Sequence, residues 1–341
     1  MNRKSAPPLR LPAAIVLVLA CSAAPAQPGA GNDDGDPLSP AAIRRARQGA
    51  ATAAPAAASP DPAAHTTDLA ADPRVIYRTQ AFEEEPWRSN VLAHRTLRDW
   101  VDDPVKGRAL RITWKQGENG ALNWYYPFWP EAVEAIFQYD ILFEEDWRPA
   151  DGGKLAGWSS ATKPDDRPWR LWKEYPKGTE GTLLAGNGGE KVHGDDGWSL
   201  RGSFRQPIPA SRPQGGWTWL GTYAYHADMP GDYGDLWWWN QFGQGPLSPG
   251  RWHTIKQRLR VNTPGKRDGV LEVWVDGLPA FRKTDVYLRG PGPYRLAAPP
   301  YNVDTVLAIR RVWLNLYHGG TTPIPADMHV RLANFVVVRV E

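Results

Sequence analysis

Three short clusters hold the side chains best suited to chemistry. In residues 152–158 (GGKLAGW) a lysine, Lys154, is held in a glycine-rich turn. In residues 197–204 (GWSLRGSF) Ser199, Arg201 and Ser203 alternate with Trp198, Leu200 and Gly202. In residues 221–228 (GTYAYHAD) Tyr223 and Tyr225 stand two apart, and His226 takes the opposite phase. Residues two apart in a strand share a face, so two serines flank Arg201 on one strip and the two tyrosines share another. Facing open water, such a strip is only the wet side of a sheet. Lining a groove, an arginine between hydroxyls is a receptor for an anion. A buried arginine without a partner would be prohibitively costly, so its surroundings decide its meaning.

The elements that must position these clusters read as strands. After residue 74 helical periodicity is nearly absent, and short period-two segments recur between Gly, Pro, Asn and Asp. The run EAIFQYDILFEEDW ending at Trp147, residues 251–262 (RWHTIKQRLRVN) and residues 329–340 (HVRLANFVVVRV) each predict a strand. Residues 270–281 (VLEVWVDGLPAF) predict a hairpin turning at Asp276-Gly277. In RRVWLNLYHGG the phase sets Val312, Leu314 and Leu316 on one face and Trp313, Asn315 and Tyr317 on the other. Many strands at short spacing, without βα alternation or an internal repeat, predict an all-β fold. We expect a β-jelly roll sandwich of two antiparallel sheets with a concave substrate groove.

Composition narrows what such a groove would take. The chain has 341 residues with 18 Trp and 12 Tyr. About half of these rings are expected in the core, and the others suit flat apolar faces such as those of sugar rings. A net charge of +3 from 40 basic and 37 acidic side chains, with no Lys/Arg run, argues against a nucleic-acid partner. Residues 1–26 read as an export signal: a basic start, the apolar run LPAAIVLVLA, then Ala24-Pro25-Ala26 as a cleavage site. That run is too short to span a bilayer. The only cysteine, Cys21, ends it, either as a lipidation site or as a chance residue of a cleaved peptide. Residues 27–73 read as a disordered Ala/Pro-rich linker, leaving 74–341 as one exported, monomeric, periplasmic or extracellular domain without disulfides.

In this order the clusters resemble polysaccharide lyase family 14, which includes alginate and glucuronan lyases. The resemblance starts at FEEDWRPADGGKLAGW and continues through Trp198-Ser199-Leu200-Arg201 and Tyr223-Ala224-Tyr225. It ends with the strand at Trp252, the VWVDG hairpin and the YHGG loop from Tyr317, covering most of 74–341. It implies that Lys154, Ser199, Arg201, Tyr223 and Tyr225 line an active groove that cleaves an acidic polysaccharide by β-elimination. Arg201 and Lys154 would then neutralise the uronate carboxylate, with Ser199 adding a hydrogen bond. Cations near a tyrosine favour its anionic form, so Tyr223 or Tyr225 would move the protons, with Lys154 as the alternative base. No cofactor or metal is implied. The sequence departs from the family at Ala156, where proline is expected, and in two insertions, one between Lys154 and Ser199 and one at RQPIPASRPQGGWTWL before Tyr223.

Other readings attach to the same residues. Trp198, Trp237, Trp239, Asn315, Tyr317 and His318 are expected to contact substrate, with core packing as the alternative for the tryptophans of DLWWWNQF. Arg201 can instead pair with Asp195 or Asp196, and the tyrosines can be half-buried sheet residues. His193, His226 and His318 match no zinc spacing, and Asp228, Asp232 and Asp235 no calcium loop. A glycoside hydrolase would need a carboxylate pair, for which Glu144 and Asp146 are the candidates. A non-catalytic carbohydrate-binding module would use the same tryptophans and cations.

Overall fold

Fourteen strands and one short helix, α1 (Trp87–Ala93), account for the regular structure of the described residues, apart from a 3₁₀ turn at Leu69–Ala71. The computed structural model describes residues 69–160, 191–195, 197–244, 246–292, 307–319 and 322–341. The expected export signal with Cys21, the linker up to residue 68 and most of the insertion after Lys154 lie outside the described residues. The last residues of that linker, however, belong to the fold. Leu69 is buried against Ile136, Val336 and Val338.

All strand pairs are antiparallel. One sheet joins β12 (Leu278–Val286), β11 (Gly269–Val275), β10 (Trp252–Arg260), β5 (Glu134–Phe143), β14 (Met328–Arg339), β3 (Gly107–Trp114) and β2 (Arg98–Asp103), with β1 (Val75–Thr79) also on β14. The other runs β4 (Gly120–Ala132), β13 (Ile309–His318), β6 (Gly153–Ser159), β7 (Ser199–Pro207), β8 (Thr218–Tyr225) and β9 (Asp235–Trp238). Non-consecutive neighbours, such as β13 between β4 and β6, give the crossing connections of a jelly roll. The expected hairpin is β11–β12, and its turn residues Asp276 and Gly277 have φ of 51° and 79°, the left-handed pair that a two-residue turn requires.

Each sheet turns one phase of its strands inward. Val312, Leu314 and Leu316 of β13 are buried in the core, as their alternation predicts, and Leu271, Val273 and Val275 of β11 enter the same core from the other sheet. Aromatic rings span the gap: Phe137 of β5 meets Trp158 of β6 at 4.7 Å between centroids, and Trp147 meets Phe204 of β7 at 4.9 Å, both edge-on. The core also takes Trp198 and Trp239. Their expected role as sugar platforms is therefore corrected: the Trp198 indole donates to the Leu307 carbonyl at 2.8 Å, and that of Trp239 to the Thr222 hydroxyl at 2.9 Å. The second insertion turns out to be an extended β7–β8 hairpin, closed where the Ile208 amide donates to the Trp217 carbonyl at 2.8 Å.

Candidate functional site

The register of the six-stranded sheet lays out three rows of side chains on its outer face. The central row is Tyr125, Trp313, Gly157, Arg201, Tyr223 and Leu236, taken in order across β4, β13, β6, β7, β8 and β9. On one side lies Tyr317, Lys154, Ser203, Gly221 and Trp238; on the other, Arg311, Ser159, Ser199 and Tyr225. The three clusters of the sequence are thus brought together on one surface. Most of it is deeply buried, so it is not simply the wet side of a sheet; Lys154, Tyr223, Tyr317, Leu236 and Trp238 are its half-buried members.

Arg201 is only 5% exposed. Among the described residues it has no carboxylate partner, so the pairing with Asp195 is not formed, and Asp196 lies outside the described residues. Its Nη1 donates to Asn315 Oδ1 at 3.3 Å. Aromatic faces supply the rest: its guanidinium carbon is 4.9 Å from the Trp313 ring centroid, 5.6 Å from that of Tyr225 and 5.8 Å from that of Tyr223. Glycine at 157 is what allows this packing. A Cβ there would lie 2.2 Å from the Leu200 carbonyl oxygen and 2.4 Å from the Arg201 Cα. With no side chain between them in the row, Trp313 reaches the arginine. Burial pushes the Arg201 pKa down, yet a guanidinium stays charged at neutral pH. Ring quadrupoles and one amide oxygen, in place of an anion among the described residues, offset part of the cost of burying this guanidinium.

Lys154 stands in the neighbouring row with its Nζ 4.2 Å from the Tyr223 ring centroid and 5.8 Å from that of Tyr317. Gly319 closes over it, since a Cβ at that position would come within 3.3 Å of Nζ. Burial, then repulsion from Arg201 and Arg205, pulls the Lys154 pKa down to about 7, with Asp151 opposing. A large fraction of this amine is therefore neutral at physiological pH. Tyr223 moves the other way. Burial and the adjacent Tyr225 raise its pKa, and the pull of Arg201 is too small to compensate. The expectation that cations would favour its phenolate is corrected: desolvation wins, and the phenol keeps its proton. Tyr225 packs edge-on to Tyr223 at 5.5 Å and against Val192 and Met229.

The remaining expected contacts divide by strand phase. Asn315 and Tyr317 share the face of Lys154 and Arg201. His318 does not: it is buried on the core side, where Nε2 accepts the Asp151 amide at 3.2 Å and the ring lies 6.5 Å from Phe204. Burial lowers its pKa, and the imidazole braces the turn before Lys154 from the core side, away from the face of Lys154 and Arg201. Trp237 also faces inward, its ring stacked 6.3 Å from Phe281. The tryptophan of that run on the outer face is Trp238, which the sequence reading passed over together with Trp313, Arg311 and Arg205. The signal for Trp313 was present, since its phase matches Asn315 and Tyr317.

The alternative chemistries find their residues occupied. Asp228 is paired with Arg267 at 2.6 Å and Asp235 with His226 at 2.7 Å, which leaves neither poised for calcium. Glu144 directly follows β5 of the other sheet, where Arg111 and Arg331 hold both its oxygens, and Asp146 accepts from the backbone and ring of His329. Among the described residues, Glu144, Asp146 and His329 are the one group whose ligand atoms converge, within 4.8 Å. Two guanidiniums on Glu144 oppose a cation there.

No family model matches the sequence, and no curated protein matches it. Solved structures do. A marine PL-14 alginate lyase from Aplysia kurodai aligns with a TM-score of 0.53 at 17% identity, over 78% of this chain and 99% of that one. The alginate lyase vAL-1 from Chlorella virus gives 0.50 at 16%, over 78% and 99%. A variant of alginate lyase Aly36B in complex with alginate tetrasaccharide gives 0.50 at 19%, over 78% and 94%. At these identities the likeness shows the fold: this chain has the jelly roll seen in alginate lyases.

Proposed function

We propose that this chain is a polysaccharide lyase that cleaves a uronic-acid-containing polymer by β-elimination. The observation that carries the reading is a buried guanidinium with no carboxylate partner among the described residues, set beside a lysine whose ammonium form is disfavoured. The bidentate fork of Arg201 receives the uronate carboxylate, with Asn315 orienting the fork. Neutralising that carboxylate makes the C5 proton acidic, and the neutral amine of Lys154 takes it. The electron pair left at C5 forms the C4–C5 double bond as the C4–O4 bond breaks. The Tyr223 phenol gives its proton to the departing oxygen, and the Lys154 ammonium restores it by way of solvent. Positioned acid–base catalysis of this kind supplies about 10²–10⁴-fold, and the charge held at Arg201 adds to it. Solved alginate lyases with the same fold support the substrate class. Among the described residues no helix is long and apolar enough to cross a membrane; export through residues 1–26, a linker beyond them and a monomeric state complete the proposal.

The test is the ultraviolet absorbance of the unsaturated uronate during incubation with alginate, glucuronan and other polyuronates. Absorbance should rise with the wild type and not with Lys154→Met. The rate should fall on acidification through about pH 7, where Lys154 gains its proton. New reducing ends without absorbance would mean hydrolysis, and retained polymer binding with neither signal would mean a binding module.

A further inference from the structure

The extended β7–β8 hairpin has no part in the chemistry above, yet it sets a cation beside the only outward-facing tryptophan of the DLWWWNQF run. Arg205 continues the phase of Arg201 and Ser203 along β7. It is exposed and has no carboxylate partner among the described residues. Its guanidinium carbon is 5.9 Å from the Trp238 ring centroid, the outer limit of a cation–π contact. Its backbone is pinned, since the Thr218 hydroxyl donates to the Arg205 carbonyl at 2.7 Å. Trp238 is half-buried at the end of the row that contains Lys154. Between them stand only Ser203 and Gly221. A Cβ at Gly221 would lie 2.8 Å from the Trp237 carbonyl, so this position stays bare. Lys154 and Trp238 are three strand spacings apart, about 14 Å, with a low floor between them.

A polymer whose scissile unit sits at Lys154 and Arg201 crosses that floor if it follows the row. An anionic sugar ring needs two things from a protein: a flat apolar surface for its C–H face and a donor fork for its carboxylate. The end of the row offers both, side by side. We propose that Arg205 and Trp238 form a second uronate subsite on the β9 side of Lys154, Trp238 taking the ring face and Arg205 the carboxylate of the same unit. The proposal rests on the reading of this face as a polyuronate site and adds to it a preference for longer chains. The neighbouring Arg267 and Lys283 do not compete for the role, because Asp228 and Asp285 already pair with them.

The experiment compares the full-length wild type with Arg205→Gln, Arg205→Lys and Trp238→Leu on polyuronate oligomers of increasing length. Elimination is followed by absorbance, and thermal unfolding checks that each variant is folded. For long chains, KM should rise about tenfold or more in Arg205→Gln, the scale of a lost hydrogen bond to a charged group, with kcat changing far less. The shortest oligomers cleaved should lose much less, so the advantage of long over short substrates shrinks; Arg205→Lys should restore part of it. Arg205→Gln should also move the acid limb of the rate profile upward, because Lys154 loses a repelling neighbour; Trp238→Leu should not. An unchanged length preference in folded Arg205→Gln and Trp238→Leu overturns the subsite. If the wild type eliminates nothing, the lyase reading fails by itself, and the subsite is judged by retardation in gels containing alginate. Retardation weakened in both variants then supports it; equal retardation in all proteins, or none in the wild type, rejects it.

Discussion

Two arginines on opposite sheets are almost equally buried, and their company could hardly differ more. Arg258, on the outer face of the eight-stranded sheet, is 3% exposed and Arg201 5%. Arg258 bonds Glu134 at 2.6 Å and Glu272 at 2.5 Å, and Glu272 also holds Arg282 at 3.0 Å. The same face pairs Arg111 and Arg331 with Glu144, Arg331 with Asp103, and Lys106 with Asp140. It even opens a cavity of about 690 Å³ lined by Asp103, Glu144, Glu145, Trp252 and Arg331, but its Asp103 and Glu144 are already bound. On the six-stranded sheet Lys154, Arg201 and Arg205 have no ion pair among the described residues. Both faces pay desolvation, and only one recovers it internally. Cations left without anions among the described residues, more than the size of a cavity, are what support the six-stranded face as the proposed site.

Exchanging each arginine for methionine breaks the comparison most directly. Arg258→Met strands the buried carboxylate of Glu134, leaves Glu272 with Arg282, and should cost about 3–5 kcal/mol of stability, read by urea unfolding, with little effect on elimination in the fraction that stays folded. Arg201→Met removes a charge that no carboxylate among the described residues neutralises. It should leave the unfolding midpoint equal or higher while lowering elimination by roughly 10³-fold, the scale of lost preorganised charge stabilisation. Matching stability losses in the two variants would mean that Arg201 is a structural residue like Arg258. A smaller effect tests the proton donor: Tyr223→Phe should retain the fold and lose about 10²-fold in kcat, and a variant with full activity would pass that role to Tyr225.

Lys154 sharpens the contrast through pH. Its pKa is about 7 in the folded chain against an ordinary 10.5. Between those values the unfolded chain holds a proton that the folded chain lacks, so this group makes stability rise with pH across the window. Its full penalty is present below pH 7 and absent above 10.5. Lys154→Met should therefore unfold several degrees higher than the wild type at pH 6, with the difference disappearing at high pH. An offset that is constant with pH would show that the lysine is solvated in the native state.

Much of this was legible from residue types and phase. The β13 alternation and the Asp276-Gly277 turn were read directly, and Lys154, Arg201 and Tyr223 were named together before any register was known. The same phase rule, applied strictly, also places Trp198 opposite Arg201 and His318 opposite Tyr317, so both belong inside. The three tryptophans of DLWWWNQF carry no phase of their own, and only the pairing of Gly221 with Trp238 tells which one faces outward. The protonated Tyr223 was hidden for a different reason. Its acidity is set by burial, a sum over chain segments that no local spacing encodes.

The missing counterion at Arg201 also bears on how a catalytic cycle ends. β-Elimination puts a double bond into the sugar ring but leaves its carboxylate untouched. In the proposed reaction the anchor therefore meets the same anion before and after bond breaking. Letting the product go returns the guanidinium to its uncompensated state, whereas letting go of an anion already exchanged for the next chain does not. If the proposed reaction holds, turnover is expected to be governed by replacement at Arg201, with the shortened product inhibiting and fresh polymer speeding its release.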